Sequence, residues 1–338
     1  MNPFNPERTA DRVLVLLRKK MGQPVEPKRL VKELKCAPEN VVEAIGELRS
    51  WGYTIKADRN ERYTLTGIPD SYLSTEIAYH LGTKMIGRKI YAYQTVQSTN
   101  TIAAQLAAMK APEGTLVIAE HQTRGRGRLG REWHSPEKVG LYCSLILYPK
   151  IHPTQAPGIS LMTAVALAET INSYDEIDVK IKWPNDVLIS GMKVAGILTE
   201  LSAELDRVEY VIVGVGVNLN QKRSDFPPEL RETATSVRVG TKEKVNRREF
   251  LQRFLRNFEK EYFVFRKSGL KEARKNLLKY SALLNQEIKL KMGRKTIIGT
   301  VIDIDALGRL VLDTREGIIP FNAGEVSTHE ENRPFRYM

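Results

Sequence analysis

Cysteine is scarce in this chain. The 338 residues include two, Cys36 and Cys143. They lie far apart and no Cys/His cluster accompanies them, which excludes a disulfide framework and a structural zinc site as organising devices. Long hydrophobic runs are missing too: stretches such as Val211–Val217 fall far short of the ~20 apolar residues that span a bilayer. The opening MNPFNPERTADR has no apolar stretch of the kind a secretory leader needs. A cytoplasmic protein without membrane partners is expected, and a reducing compartment suits its thiols. No repeat or low-complexity tract is visible, which argues against a solenoid. No Gly-Lys-Ser/Thr closes a Walker loop, so P-loop phosphate binding is excluded.

What is present is ordinary in bulk and uneven in detail. Hydrophobic residues make up 42% and charged residues 27%, which suits soluble domains with cores of their own. The length allows two or three domains of about 100–200 residues. Net charge is +12, and residues 240–295 hold 17 Lys+Arg against 6 Glu and no Asp. Two readings of that segment stand: solvated helix faces, or a surface that attracts an acidic protein or nucleic acid.

Apolar periodicity divides the chain into an α+β, multidomain protein. Residues 1–66 read as a winged helix-turn-helix domain. Helices are expected at Ala10–Lys20, Lys28–Leu34 and Glu39–Ser50, the last with Val41, Val42, Ile45 and Leu48 on one face. A hairpin follows around Asp58–Glu61. Gly67, Pro69 and Asp70 mark a linker before a short helix at Ser74–Leu81. Residues 67–284 then mix strands and helices, often strand after strand, which predicts a mixed or largely antiparallel sheet. The segment Ile159–Asn172 is apolar almost all round and should be buried. Basic amphipathic helices are expected at Asn246–Lys267 and Leu270–Leu284. Residues 285–330 carry four short, evenly spaced strands with glycine turns, the pattern of a small β-barrel.

Four stretches carry chemistry. In Thr123–Ser135, Arg124, Arg126, Arg128 and Arg131 alternate with Gly125, Gly127 and Gly130. The glycines match a dinucleotide fingerprint, but Pro136 forbids the helix that should follow. An RG-type nucleic-acid contact is also open, though the run is short and lies between two strands. An ordered loop over a phosphate-bearing molecule fits better, with guanidiniums forking onto oxygens and Trp133 as a lid. Lys182-Trp-Pro-Asn-Asp186 presents Lys182, Asn185 and Asp186 at a strand end, or else is a plain turn with a structural Trp. Lys193 enters an apolar strand and either snorkels or reaches a pocket. Gly214 and Gly216 lie inside a strand that ends at Asn218 and Asn220, where close approach of a ligand or backbone is expected. Ser98-Thr99-Asn100 can cap a helix, a role compatible with ligand binding.

Taken together, S-T-N, Q-x-x-G-R-G-R-x-G-R-x-W-x-S-P, K-W-P-N-D, K-x-A-G-I-L and G-x-G-x-N resemble the biotin–protein ligases, in particular the bifunctional kind that also represses the biotin operon. Motifs in this order are far more specific than any one alone. The resemblance covers nearly the whole chain, and it implies a biotin/lipoate-ligase-type catalytic domain followed by an SH3-like barrel. It implies a reaction in two steps. Biotin and ATP, with Mg²⁺, give biotinyl-5′-adenylate, and a lysine of a biotin carboxyl carrier protein then attacks it. A carboxylate attacking a phosphate needs fixed positive charge around it.

The resemblance places biotin against Ser98, Thr99, Asn100 and Gln122, with Arg126, Gly127, Arg128 and Lys193 at its carboxyl end. Gly125, Arg126, Arg128, Arg131, Trp133, Lys182, Asn185, Gly214, Gly216 and Asn218 fall to ATP and the adenylate. Arg128, Lys182 and Lys193 are the catalytic cations, Asp186 the base for the acceptor lysine, and no protein-held metal site is implied. A homodimer and operator DNA are implied partners, with Asn40, Arg49, Arg59 and Arg62 as candidate DNA contacts. The chain departs from the repressor pattern at Pro38-Glu-Asn-Val, where Glu39, Glu43 and Glu47 share a face and repel phosphate. His329 stands near the place where members often carry Arg. A ligase whose first domain leaves DNA alone, a lipoate or octanoyl transferase, and a regulator that senses a biotin-like ligand are the alternatives.

Overall fold

Three helices and a hairpin come first. The computed structural model describes residues 8–174, 177–204 and 206–328. Within it α1 spans Thr9–Lys19, α2 Pro27–Leu34 and α3 Pro38–Ser50. Val13, Leu14 and Leu17 pack with Leu30, Leu34, Val41, Ala44, Ile45 and Leu48 in a core of their own, the i, i+3, i+4, i+7 spacing of one helix face. Val42 was expected inward and is 60% exposed, because 100° per residue turns it off the stripe that Val41, Ile45 and Leu48 define. Gly52, at φ +94°, lets the chain leave α3 for the antiparallel hairpin β1 (Thr54–Ala57) and β2 (Tyr63–Gly67).

The central unit is a mixed seven-stranded sheet. After the short α4 (Ser74–Ala78), the chain runs β3 (Ile90–Val96), α5 (Thr99–Ala108), β4 (Leu116–Gln122), β5 (Gly140–Leu147), α6 (Pro157–Ile171), β6 (Val179–Lys182), β7 (Asp186–Ile189), β8 (Met192–Glu204) and β9 (Arg207–Asn218). The spatial order is β3-β4-β5-β9-β8-β7-β6. The β3/β4 pair is parallel, and α5 makes the crossover it needs. Alternation along β9 separates two faces. Val211, Val213, Val215 and Val217 join the core beneath α6, which is buried almost all round as expected. Ile212 faces Ala103 and Ala107 of α5, and Gly214 and Gly216 share its side.

After α7 (Val237–Thr241) come α8 (Arg247–Ser268) and α9 (Ala273–Tyr280). The second basic helix therefore stops short of the expected Leu284. Ser281 Oγ accepts the N–H groups of Leu283 and Leu284, each at 3.2 Å, and Ala282 N–H donates to Ile181 O at 2.9 Å. This local alternative draws the chain out of the helix and onto edge strand β6. Both basic helices pack with α6 on the valine face. Their charge lies across the sheet from Gly214 and Gly216.

The last unit is a five-stranded antiparallel sheet of β10 (Glu287–Met292), β11 (Lys295–Ile304), β12 (Leu310–Thr314), β13 (Gly317–Phe321) and β14 (Glu325–Thr328), ordered β13-β12-β11-β10-β14. Four strands were expected; β14 is the addition. His329 and the end of the expected 285–330 segment lie outside the described residues, as do residues 1–7.

Polar contacts join the three units. Buried Glu76 accepts from Arg18 (2.9 Å) and Tyr53 Oη (2.9 Å) on one side and Arg248 (3.0 Å) on the other. Buried Trp183 donates Nε1–H to Gly308 O at 2.9 Å, and Arg274 grips Asp303 at 2.5 and 2.6 Å. Among the described residues no helix is long and apolar enough to cross a membrane.

Candidate active site

The α5 face of the sheet holds a cavity of about 560 Å³. Its floor is glycine for a steric reason. A Cβ on Gly216 would lie 2.5 Å from the Trp133 indole, and one on Gly196 2.9 Å from it. These glycines face each other in the β8/β9 register, so the ring of Trp133 rests on bare backbone. A Cβ on Gly214 would run into the Asn100 amide. Trp133 Nε1 is buried and has no hydrogen-bond partner among the described residues.

One wall is a hydrogen-bonded polar network. Ser98 sits at the N-cap position of α5 but makes no side-chain cap bond there. Gln122, from β4, does that work: its Oε1 accepts Thr99 N–H at 2.8 Å, and its Nε2 donates to Ser135 Oγ at 3.0 Å. Ser144 Oγ lies 2.6 Å from Asn100 Oδ1 and 2.7 Å from Thr99 Oγ1. Asn100 Nδ2 donates to Glu200 Oε2 at 2.7 Å and to Leu198 O at 3.3 Å.

The glycine-arginine loop closes the front, and its arginines reach three different elements. Arg126 pairs with Glu200 at 2.6 Å on β8. Arg128 donates to Asn185 Oδ1 at 3.0 Å on the β6–β7 turn. Arg131 pairs with Glu325 on β14. Burial lowers the Arg128 pKa, with Asp186 and Glu325 opposing that shift. Gly125 does not line the cavity: a Cβ there would strike Ser135 Oγ at 2.7 Å, and its carbonyl accepts Trp133 N–H at 2.9 Å. Its part is the tight turn behind the loop.

The remaining cations face the loop. Lys182 and Asp186 are paired across the β6–β7 hairpin, whose Trp183–Pro184 peptide is cis. Burial lowers the Lys182 pKa, and Asp186 works against that shift. The hairpin register sets this carboxylate directly opposite Lys182. Lys193 reaches into the cavity, 2.7 Å from Asp186 Oδ1 and 5.4 Å from the Trp133 ring centre. Asp186, expected as a base, is thus engaged by one lysine and opposed by another. Asn185 also donates Nδ2–H to Ile197 O at 2.9 Å, so both ends of its amide are occupied. Asn218 lines the rim and donates to Thr235 O at 3.0 Å.

Ser98, Thr99, Asn100, Gln122, Arg126, Gly127, Arg128, Arg131 and Trp133 therefore line one cavity with Lys182, Asn185, Asp186, Lys193, Gly214, Gly216 and Asn218. Sequence reasoning missed Ser135, Ser144, Glu200 and Glu325. Ser144 and Glu200 had a signal, each a polar residue inside an apolar strand; Glu325 had none. Cys143 lines the wall as well, its thiol pushed up to about 12 by burial, which keeps it neutral and a poor nucleophile. The DNA candidates lie apart. Asn40 is exposed but its Oδ1 accepts Ala37 N–H at 3.2 Å. Arg49 donates from its guanidinium to Ile55 O at 2.8 and 3.0 Å and stays exposed. Arg59 is exposed, and Arg62 pairs with Asp58 at 2.7 Å.

A cavity that joins polar amides, a tryptophan over glycine backbone and convergent cations is built to hold and activate a small molecule through an anionic group. The comparisons name the class. Residues 91–218 match the biotin/lipoate A/B protein ligase family, and residues 283–328 match the biotin protein ligase C-terminal domain. The chain is 40% identical over 285 residues to the bifunctional ligase/repressor BirA of Bacillus spizizenii, covering 84% of this chain and 88% of that one. The Escherichia coli protein of the same name is 29% identical, over 84% and 86%. Among solved structures, the biotin protein ligase from Aquifex aeolicus in complex with biotin and ATP superposes with a TM-score of 0.61 at 32% identity, covering 70% of this chain and 97% of that one. The chain belongs to the biotin protein ligase family.

Proposed function

We propose that the cavity makes and holds biotinyl-5′-adenylate. The observation that carries this reading is the convergence of Arg128, Lys182 and Lys193 on one side with the Ser98–Asn100/Gln122 network on the other. The network suits a ureido ring, whose N–H and C=O groups need fixed partners inside an apolar pocket. A biotin carboxylate oxygen attacks the α-phosphorus of ATP, the bond to the β-phosphate oxygen breaks, and pyrophosphate leaves with the electron pair. Both reactants are anions, so Lys182 and Arg128 lower the barrier by standing where charge accumulates. Lys193 holds the biotin carboxylate, and Asp186 positions Lys193. Among the described residues no group of three or more His, Cys, Asp or Glu could hold a metal; Mg²⁺ would be carried by the triphosphate. In the second step the neutral amine of an acceptor lysine attacks the acyl carbon, an amide forms and AMP departs. The acceptor is the biotin carboxyl carrier class of domain.

The test is incubation with ATP, Mg²⁺, labelled biotin and a carrier domain. Label on the carrier lysine is expected; neither adenylate nor labelled carrier would sink the reading.

Two substitutions probe the site further. Gly214→Ala places a methyl against the Asn100 amide, and overpacking of this kind costs about 1–3 kcal/mol. Biotin affinity measured by calorimetry should fall about tenfold or more, with circular dichroism unchanged; wild-type affinity would detach Asn100 from biotin. Arg128→Gly removes a charge-assisted hydrogen bond of about 1.5–3 kcal/mol from the loop. Adenylate should still form but escape about 10–100-fold faster in a chase experiment. Unaltered retention would mean that the loop only recruits ATP.

The outer units complete the reading. Of the expected units, 8–66 read as a winged helix-turn-helix, 67–284 as the catalytic domain and 285–328 as an SH3-like barrel. The relatives named ligase/repressor support operator binding by the first unit, with Asn40, Arg49, Arg59 and Arg62 as contacts. Gel shift on the biotin-gene promoter, with and without biotin plus ATP, decides whether this domain regulates.

A further inference from the structure

Glu200 lies on β8 beside the cavity, outside the motifs that drew attention to the site. Its carboxylate oxygens face different partners. Oε2 accepts Asn100 Nδ2–H at 2.7 Å, and Oε1 pairs with Arg126 at 2.6 Å. Asn100 is 4% exposed and its amide has two possible orientations. A carboxylate only accepts hydrogen bonds, so Glu200, at 2.7 Å, draws the NH₂ end of Asn100 toward itself, with the longer 3.3 Å bond to Leu198 O beside it, and leaves Oδ1 to Ser144 Oγ, 2.6 Å away. The same group is the sheet-side anchor of the glycine-arginine loop. Displacing Arg126 would free the carboxylate that orients the pocket amide.

We infer that Glu200 is a positioning residue that sets the orientation of Asn100 and latches Arg126, so that loop closure and pocket geometry are one event. The inference rests on the biotin–adenylate reading of the cavity. The two halves differ in size. The Arg126 and Glu200 side chains are 50% and 34% exposed, and such a pair is worth roughly one- to fivefold in an equilibrium. The bond to buried Asn100 is shielded and charge-assisted, worth about tenfold or more. Loss of Glu200 therefore acts first on biotin binding and second on retention.

The test uses the full chain with ATP, Mg²⁺ and labelled biotin, comparing wild type, Glu200→Ala, Glu200→Gln, Arg126→Met and Arg126→Met/Glu200→Gln. Glu200→Ala should raise the biotin KM about tenfold while kcat for adenylate formation stays within about twofold. Glu200→Gln keeps an acceptor for Asn100 but turns an NH₂ toward Arg126. Its KM should stay near wild type, and its adenylate should be released about threefold faster. The double variant should release adenylate no faster than Arg126→Met alone, since one interaction is removed twice. Equal KM shifts in Glu200→Ala and Glu200→Gln with a shared drop in melting temperature would overturn the inference in favour of a scaffold role. So would release rates that multiply in the double variant. Wild-type kinetics in both Glu200 variants would overturn it while leaving the ligase reading intact. A wild-type chain that makes no adenylate would overturn both.

Discussion

Lys182→Gln should slow adenylate formation by about 10²–10³ in kcat, the usual cost of removing a preorganised charge from a reaction centre. Biotin affinity should change far less, because the ureido network stands on α5, β4 and β5, away from the β6–β7 hairpin. Single-turnover formation of adenylate checks the rate, and calorimetry checks the affinity. The pH dependence has a definite sign. Burial lowers the Lys182 pKa in the free protein, with Asp186 opposing, and the active form is the cation. As pH rises through that lowered pKa the cation is lost, so kcat/KM for ATP should fall below the ordinary lysine range. Lys182→Arg should move that limb out of reach. A wild-type profile flat through the lysine range would remove Lys182 as the titrating cation.

Arg247→Met should destabilise the central unit by about 3–5 kcal/mol, the cost of leaving one partner of a buried ion pair alone. The Arg247 and Glu120 side chains are 1% and 2% exposed and lie 2.7 Å apart. Arg247 also donates to Asp70 O at 2.8 Å and lies over the Tyr72 ring at 4.6 Å, while Glu120 accepts Tyr72 N–H at 2.7 Å. The pair thus fastens the linker between the first two units to the sheet. Urea unfolding followed by tryptophan fluorescence reads the loss. Glu120→Gln/Arg247→Met should recover a substantial part of it, because the orphaned charge is gone. A single-variant loss under about 1 kcal/mol would place the pair in solvent-like surroundings, against its burial.

Most of the site was legible in local order. Lys182, Asn185 and Asp186 were read from one turn, and the glycine-arginine loop from its composition, because each is a short stretch with unusual chemistry. The apolar Ile159–Asn172 stretch likewise declared a buried helix. What local order missed was the partner of each group. Lys182 and Asp186 stand four residues apart in the turn, but only the hairpin register sets them opposite each other. Three of the cations have partners that chain order does not show: Arg126, Arg131 and Lys193 each hold a carboxylate. Arg49 is tied to Ile55 O through its guanidinium, a contact that chain order does not show. The end of α9 was hidden because Ser281 stops a helix only when its hydroxyl and the edge of β6 offer the backbone something better.

By itself, the sequence determined that a loop rich in arginine and glycine stands between two strands, that a tryptophan follows it, and that a glycine strand lies downstream. It determined the residue types a nucleotide-activating pocket needs, and their order. The tertiary structure decided why they belong together. Gly196 and Gly216 meet across two strands so that Trp133 can lie flat on them, and Glu200, 74 residues from Arg126, joins the loop to the amide of Asn100. Such pairings depend on sheet register and on which side of a strand a residue faces, and chain order carries that information only once the strands have found their neighbours.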